Sequence, residues 1–177
     1  TYAGTLGASY DLETLVRAAK IASGQVRGLR VKILGDGPDR ERLERAAADA
    51  GAPVDFLGYT PYDRMAAFLS KSDLTVNSLV HGAAQSIVTK IGDYLAAGIP
   101  LVNTGESPEF CAKVEADGFG VNVAPGDAAA LADEIVRLAG HPSSRKIMGA
   151  KARNVAEREF DQAHSYKAIV ELIRNLL

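Results

Sequence analysis

The sequence predicts a doubly wound α/β domain. Strand-like and helix-like segments alternate along nearly the whole chain, which is the pattern of βαβ units in a mostly parallel sheet. No internal repeat, low-complexity tract or linker interrupts the 177 residues, and one domain of this length buries a substantial core. After the last strand the pattern becomes purely helical. We therefore expect one Rossmann-like domain, with a sheet of about six strands and a C-terminal helical tail.

Six short runs rich in aliphatic and β-branched residues predict the strands. They are Tyr2–Leu6, Leu29–Leu34, Val54–Leu57, Leu74–Asn77, Pro100–Asn103 and Gly120–Val123. Doubly wound sheets bind their ligands beyond the carboxyl ends of the strands. The loops that follow these ends are therefore the places to seek a site, namely Gly4–Asp11, Gly35–Arg40, Leu57–Arg64, Asn77–Ser86 and Asn103–Glu109.

Apolar residues at helical spacing predict the segments between the strands. Three such sets are Leu12, Leu15, Ala18 and Ala19, then Leu43, Ala46, Ala47 and Ala50, then Leu131, Ile135 and Leu138. Asp127 is expected to cap the helix that carries the third set. The tail is predicted as Asp127–Ala139, Ser143–Phe160 and His164–Leu176.

Composition narrows the function. The net charge of -2 argues against a nucleic-acid partner, because binding to a phosphate backbone depends on an excess of Lys and Arg. Cys111 is the single cysteine, which leaves no intrachain disulfide and favours a reducing, cytoplasmic setting. No apolar run reaches the length of a membrane span. The chain begins within a strand-like run, without Met or a leader, so we expect a further domain to precede it.

Two of the loops at the strand ends, Gly4–Asp11 and Gly35–Arg40, are rich in glycine. Gly4-Thr5-Leu6-Gly7 allows a ligand to approach the backbone, and the helix that follows favours an anion at its N-terminus. It matches neither a Walker loop nor a dinucleotide-binding loop, and a plain βα turn explains it equally well. Gly35 and Gly37 suit a tight turn whether or not a ligand binds there.

The segment from Gln85 to Pro100 carries a more specific pattern. Read as a helix that begins near residue 86, it places Ile87, Ile91, Tyr94 and Leu95 on one side. Ser86, Lys90, Asp93 and Ala97 share the other side, where small neighbours leave room for a ligand. An exposed ion pair between Lys90 and Asp93 fits the same spacing.

The histidines carry weaker signals. His81 lies beside Gly82 in the loop after the fourth strand, where it can donate to a phosphate or a sugar hydroxyl. A solvated loop histidine is the simpler interpretation. No histidine pair has metal-ligand spacing, so no metal site is expected.

The order of several short motifs resembles the C-terminal domain of GT-B glycosyltransferases, specifically the large retaining family 4. The resemblance covers nearly the whole chain, and its order and spacing are more specific than any one motif. The matching pieces are Tyr2–Leu6, Ile33–Pro38, Val54–Gly58, Asp93–Val102, Val123–Asp127 and Arg145–Arg153.

The resemblance implies that residues 1–177 bind the sugar donor. Aligned on Gly98 and Pro100, the second of the family's two signature glutamates corresponds to Asp93 and the first to Gln85. In the family the second carboxylate holds the donor ribose and the first contacts the transferred sugar. Asp93 retains a carboxylate on a shorter arm, whereas Gln85 offers a neutral amide that can bond a hydroxyl.

A second difference from the family concerns the residues that face the donor diphosphate. Many family members carry an Arg and a Lys that face it, at the positions of Thr5 and Tyr10 in this chain. Segment 89–98 is similar to a branch common in capsule and exopolysaccharide gene products, with Lys three residues before the carboxylate. We therefore predict that Lys90 is the catalytic cation, assisted by the amides of Gly7, Gly82 and Ser86.

The resemblance also implies where the base lies and what the whole protein does. The base is expected near Gly35, Gly58 and Tyr59, with Gly4 and Gly37 in the surrounding turns. The expected activity is metal-independent, retaining transfer of a hexose from a nucleotide diphosphate sugar, first of all a UDP-sugar, without a cofactor. The acceptor is a glycan or a lipid-linked glycan in polysaccharide biosynthesis.

The expected partners are the donor, the acceptor and an N-terminal domain of the same protein, through which peripheral membrane contact is allowed. This chain alone is then expected to bind donor weakly and to transfer nothing. Two alternatives remain open on the sequence, a UDP-sugar epimerase of the same architecture and a degenerate module that binds nucleotide sugars without catalysis.

Overall fold

A computed structural model describes residues 1–83 and 88–174, without the side chains of residues 162–165, 168 and 169 in the last helix. Gln85, Ser86 and Ile87 lie outside the described residues, as do residues 175–177 at the end of the predicted tail. Within the described part, no helix is both long enough and apolar enough to cross a bilayer.

Six parallel strands form the centre of the domain, as predicted. Their bounds are β1 Tyr2–Ala3, β2 Val31–Leu34, β3 Val54–Gly58, β4 Thr75–Asn77, β5 Leu101–Asn103 and β6 Gly120–Asn122. They pair as two three-stranded sheets, β1-β2-β3 and β4-β5-β6, rather than as one continuous sheet. The two sheets meet at Thr1, whose carbonyl accepts from the Val76 amide at 3.1 Å and whose amine donates to the Leu74 carbonyl at 2.7 Å. The ladder is broken here because β1 is only two residues long, and Gly4–Leu6 already belongs to the following turn.

Helices cover both faces of the sheets. Their bounds are α1 Leu12–Ser23, α2 Arg40–Ala50, α3 Tyr62–Leu69, α4 Lys90–Ala96, α5 Pro108–Asp117, α6 Ala128–Gly140, α7 Pro142–Val155 and α8 Gln162–Arg174. The predicted helix Ser143–Phe160 is in fact α7 followed by a π-helical turn, Ala156–Phe160. Asp127 caps α6 as predicted, because its carboxylate accepts from the Ala130 amide at 2.8 Å.

Two apolar clusters hold the layers together, one on each face. The first joins α1 and α6 to the strands and includes Leu12, Leu15, Leu131, Ile135 and Leu138. The second joins α4, α5 and α7 and includes Ile91, Tyr94, Leu95, Phe110 and Val155. The apolar faces predicted for α1, α4 and α6 are therefore confirmed for the residues that the structure describes.

The carboxyl ends of β1, β2 and β3 are tied closely together. The Gly4 amide donates to the Leu34 carbonyl at 2.9 Å, and the Gly35 amide donates to the Gly58 carbonyl at 2.8 Å. Gly35 has a φ of 133° and packs directly on the Gly4 carbonyl, where a Cβ would overlap it. The close approach of these turns explains why glycine stands at the ends of these strands.

Gly37 offers a test of this close packing. A Cβ at position 37 would overlap the Leu6 carbonyl, so we expect Gly37→Ala to lower the free energy of unfolding by roughly 1–3 kcal/mol or more. Gly140→Ala is the matched control, since no atom lies within 4 Å of its Cβ position at the end of α6. The control should be neutral or stabilising by a few tenths of a kcal/mol. Urea denaturation measures both, and equal midpoints for the two variants would contradict the packing argument.

Candidate functional site

Helix α4 as described spans Lys90–Ala96, and residue 86, where the sequence placed the start of this helix, lies outside the described residues. Val88 and Thr89 precede α4 outside the helix, and β-branched residues lower helix propensity because their side chains crowd the preceding turn. Thr89 makes no side-chain capping bond.

Lys90 is directed inward, toward β1. Its side chain is 9% exposed, and the amine lies 4.1 Å from the centroid of the Tyr2 ring and 3.8 Å from that of Tyr10. The Nζ atom has no hydrogen-bond partner among the described residues. A Cβ on Gly4 would be 3.2 Å from this nitrogen, so the amine lies directly beside the first glycine turn.

Burial changes the charge of this amine. Desolvation lowers the pKa of Lys90 from 10.5 to about 7, with no opposing carboxylate to restore it. An exposed ion pair with Asp93, the alternative that the spacing allowed, is therefore wrong for this chain. Lys90 is buried, and Asp93 bonds to a different side chain.

A cavity of about 310 Å³ opens beside the first turn. It is lined by Gly4, Thr5, Leu34, Gly35, Asp36, Tyr59, Thr60 and Met65. This set, which we call the turn cavity, brings together four residues that the sequence assigned to the donor. Its volume is within the range of small-molecule sites. Tyr59, at the rim of this cavity, is 81% exposed.

The other predicted glycines support the turn cavity without lining it. Gly58 is buried and accepts from the Gly35 amide, with a φ of 73°. Gly37 packs on the Leu6 carbonyl, and Gly7 lies next to Pro38. Their positions account for the backbone conformation of the loops rather than for a direct ligand contact.

Asp93 faces a second, polar cavity of about 540 Å³. Its carboxylate accepts from the Tyr62 hydroxyl at 3.0 Å, and this hydrogen bond raises the pKa of Tyr62. Tyr62 was not among the predicted site residues, although it lies in Leu57–Arg64, one of the loops at the carboxyl ends of the strands where a site was expected. Met65 on α3 lines the turn cavity and also a smaller cavity that Asp93 lines, so the two cavities share this residue.

The loop after β4 is held by a carboxylate that sequence reasoning did not assign. Glu106 accepts from the Gly82 amide at 2.8 Å and lies 3.0 Å from the His81 Nδ1. The bond from Gly82 is the main cause of the lowered pKa of Glu106. His81 and the Gly82 amide, which the sequence predicted to face a phosphate, thus contact the Glu106 carboxylate of the same protein. The predicted contacts at Gln85 and Ser86 lie outside the described residues.

The N-terminus of α1 carries an internal cap. The Asp11 carboxylate accepts from the Thr14 amide at 3.1 Å, so this amide of the first helical turn already has an acceptor within the protein. Among the described side chains that the sequence predicted to bind an anion, Lys90 is the one whose amine has no hydrogen-bond partner.

Comparison with known proteins gives a consistent result. The profile of the family described as Glycosyl transferases group 1 matches residues 1–141. The amylovoran biosynthesis glycosyltransferase AmsK of Erwinia amylovora is 26% identical over 172 residues, which cover 93% of this chain and 42% of AmsK. The lipopolysaccharide core biosynthesis glycosyltransferase LpsE of Rhizobium meliloti is 26% identical over 155 residues, covering 86% of this chain and 44% of LpsE. The chain thus spans less than half the length of these relatives.

Solved structures share the fold at low identity. S. aureus TarM, crystallised as a mutant with UDP and other ligands, superposes with a TM-score of 0.80 at 15% identity, over 97% of this chain and 34% of TarM. Anabaena HepE in complex with UDP-glucose gives a TM-score of 0.80 at 19% identity, over 98% of this chain and 48% of HepE. These similarities confirm the predicted doubly wound α/β architecture.

Burial of Lys90 predicts a stability that depends on pH. The unfolded chain keeps the Lys90 proton up to about pH 10.5, whereas the folded chain loses it near pH 7. The penalty for burial is therefore full below pH 7 and disappears as the pH rises toward 10.5. We expect Lys90→Met to raise the free energy of unfolding by roughly 2–5 kcal/mol at about pH 7, with a gain that shrinks toward pH 10.

The control for this measurement is Lys146→Met, at an exposed lysine on α7. Urea denaturation of both variants at several pH values gives the comparison. A Lys90→Met variant that is destabilised at pH 7, or whose gain is the same at pH 9.5, would show that the amine is solvated or paired.

Proposed function

We propose, because the chain belongs to the Glycosyl transferases group 1 family, that it is the donor-binding domain of a sugar transferase in polysaccharide biosynthesis. The named functions of AmsK and LpsE support the pathway class. Since the chain is less than half as long as these relatives, the acceptor, a glycan or lipid-linked glycan, is assigned to a separate N-terminal domain of the whole protein.

The observation that carries the proposal is the buried Lys90 amine beside Gly4. A cation held in a low-dielectric position without a counterion is arranged in advance for an anionic ligand. A donor diphosphate at the Gly4 turn would supply that counterion through charge-assisted hydrogen bonds. In this proposal Lys90 replaces the cations that the family places at the positions of Thr5 and Tyr10.

The turn cavity accommodates the nucleoside in this proposal. The base lies against the Gly35 turn, with the exposed Tyr59 ring at the rim. One carboxylate oxygen of Asp93 is bonded to Tyr62, and the second is assigned to the ribose hydroxyls. Uridine is the preferred base, which the UDP complexes of TarM and HepE support.

Lys90 also has a role in the chemistry that we propose. When the glycosidic bond to the donor phosphate breaks, negative charge develops on the departing diphosphate. A protonated Lys90 amine beside it stabilises that charge more in the transition state than in the ground state, which is the condition for rate enhancement. Because the acceptor belongs to another domain, this chain alone is expected to bind donor and to transfer no sugar.

The first functional prediction concerns the diphosphate. Isothermal titration of the 177-residue chain with UDP should give measurable binding at about pH 6.5, and Lys90→Ala should weaken it by roughly tenfold or more. Loss of one charge-assisted hydrogen bond, about 1.5–3 kcal/mol, gives this magnitude. Lys146→Ala is the matched lysine control and should bind as the unchanged chain does.

Uridine, which lacks the phosphates, separates the contributions. Its affinity should be nearly the same in the unchanged chain and in Lys90→Ala. Equal UDP affinity in the two proteins would remove Lys90 from the phosphate site. Absence of UDP, GDP and dTDP binding by the folded, unchanged chain would contradict the donor-binding function itself.

The second functional prediction concerns the ribose. In the unchanged chain, 2′-deoxy-UDP should bind about three- to tenfold more weakly than UDP, because a hydrogen bond to a carboxylate is lost. Asp93→Ala should abolish that difference between the two nucleotides. A discrimination that persists in Asp93→Ala would place the ribose elsewhere, while Tyr62→Phe controls for disturbance of the neighbouring hydroxyl.

A further inference from the structure

Two aromatic rings enclose the Lys90 amine. The rings of Tyr2 and Tyr10 pack edge to face, with centroids 5.9 Å apart and planes at 69°. The amine lies over both rings, 4.1 Å from the Tyr2 centroid and 3.8 Å from the Tyr10 centroid. Tyr94, on the next turn of α4, bonds the Ala3 backbone. No carboxylate of the described residues approaches the amine within bonding distance.

The two rings are fixed to different degrees. Tyr2 is fully buried, and its hydroxyl donates to the Thr5 carbonyl at 2.8 Å. Tyr10 lies on the turn between β1 and α1, is only partly buried, and has its amide bonded to the Gly7 carbonyl at 2.9 Å. The contact of Tyr10 with Lys90 is made by the ring, whose centroid lies 3.8 Å from the amine.

We propose that Tyr10 is a positioning residue, whose ring holds the protonated Lys90 amine beside the Gly4 turn for the donor diphosphate. A ring face attracts a cation through its quadrupole, and this attraction is stronger where water is excluded. Position 10 thus holds an aromatic ring that supports a cation supplied by α4. This inference rests on the proposed function of Lys90 and adds a second residue to it.

Groups from the β1 side and from α4 itself surround the Lys90 amine. Tyr2 and Tyr10 face it from the β1 side, while Asp93 and Tyr94 lie on its own helix. Burial keeps the pKa of Tyr2 well above its ordinary range, so that ring remains neutral at physiological pH. The balance between desolvation and ring attraction therefore sets the proton affinity of the amine.

Substitutions at position 10 separate ring attraction from packing. Tyr10→Phe keeps the ring face, and Tyr10→Leu keeps apolar volume but removes the quadrupole. In the chain labelled with 13C at the lysine Cε atoms, the Lys90 signal is assigned by its loss in Lys90→Arg and titrated by NMR. We expect Tyr10→Phe to titrate as the unchanged chain does, and Tyr10→Leu to lose about threefold or more in proton affinity.

Binding of UDP-glucose provides the second measurement, because its diphosphate does not titrate near neutral pH. At about pH 7.5 the Tyr10→Leu variant should bind roughly threefold more weakly than Tyr10→Phe. The difference should shrink at about pH 6, where Lys90 is protonated in every variant. A purely structural role for Tyr10 would weaken binding equally at both pH values.

The outcomes distinguish the two proposals. If Lys90→Ala weakens UDP-glucose binding while the leucine and phenylalanine variants at position 10 titrate alike, Tyr10 has no positioning role and the Lys90 site stands. If Lys90→Ala binds normally, the diphosphate role of Lys90 fails, and a positioning role of Tyr10 toward the donor fails with it. Should Tyr10→Leu fail to fold, pentafluorophenylalanine at position 10 replaces it, because this residue keeps the ring shape and reverses the quadrupole. If the Lys90 signal of that variant titrates at the same pH as in Tyr10→Phe, the inference is overturned.

Discussion

Burial of the Lys90 amine without a hydrogen-bond partner is the constraint around which the site is arranged. An isolated amine in an apolar position costs several kcal/mol, so packing elsewhere must hold α4 against β1. The Tyr94 hydroxyl provides part of this attachment, since it accepts from the Ala3 amide at 2.7 Å and donates to the Ala3 carbonyl at 3.0 Å. With α4 fixed in this way, the Lys90 side chain is directed at Gly4 rather than at solvent.

The glycine turns complete the same arrangement from the other side. Gly4 and Gly35 are in direct contact, and any side chain on Gly35 would overlap the neighbouring backbone. Their lack of side chains leaves the turn cavity open above the strand ends, next to the buried amine. The shape of the cavity and the position of the cation therefore share one cause, which is the tight joining of β1 to β2 and to α4.

Much of the fold was predictable because each element has its own local signal. The six strands follow from short aliphatic runs, and the faces of α1 and α6 follow from helical spacing. The start of α4 was not predictable from periodicity, because the apolar spacing in the sequence extends back to Ile87, whereas the described residues Val88 and Thr89 lie outside the helix. The division into two sheets depends on the length of β1. The predicted run Tyr2–Leu6 overstated this length, since Gly4, Thr5 and Leu6 lie in the loop that follows the strand.

The site was predictable only in part, for a different physical reason. The spacing of Lys90 and Asp93 fits an exposed pair as well as a ligand site, and only the packing of Tyr2 and Tyr10 around the amine separates the two. Glu106 is 24 residues from Gly82 along the chain, and no local sequence pattern predicts the hydrogen bond between them. Contacts between distant segments decide the charge environment, and a single sequence does not encode them in any short motif.

The distribution of internal anions explains why the amine is the group that a donor would meet. The Asp11 carboxylate accepts from the Thr14 amide at the start of α1, and Glu106 accepts from the Gly82 amide, so these two amides already have internal acceptors. Lys90 differs because no described carboxylate reaches it. A diphosphate that binds there would relieve a penalty present in the free protein, so a group that destabilises the empty fold would stabilise the complex. By linkage, ligand affinity and proton uptake at Lys90 are then two measurements of one interaction.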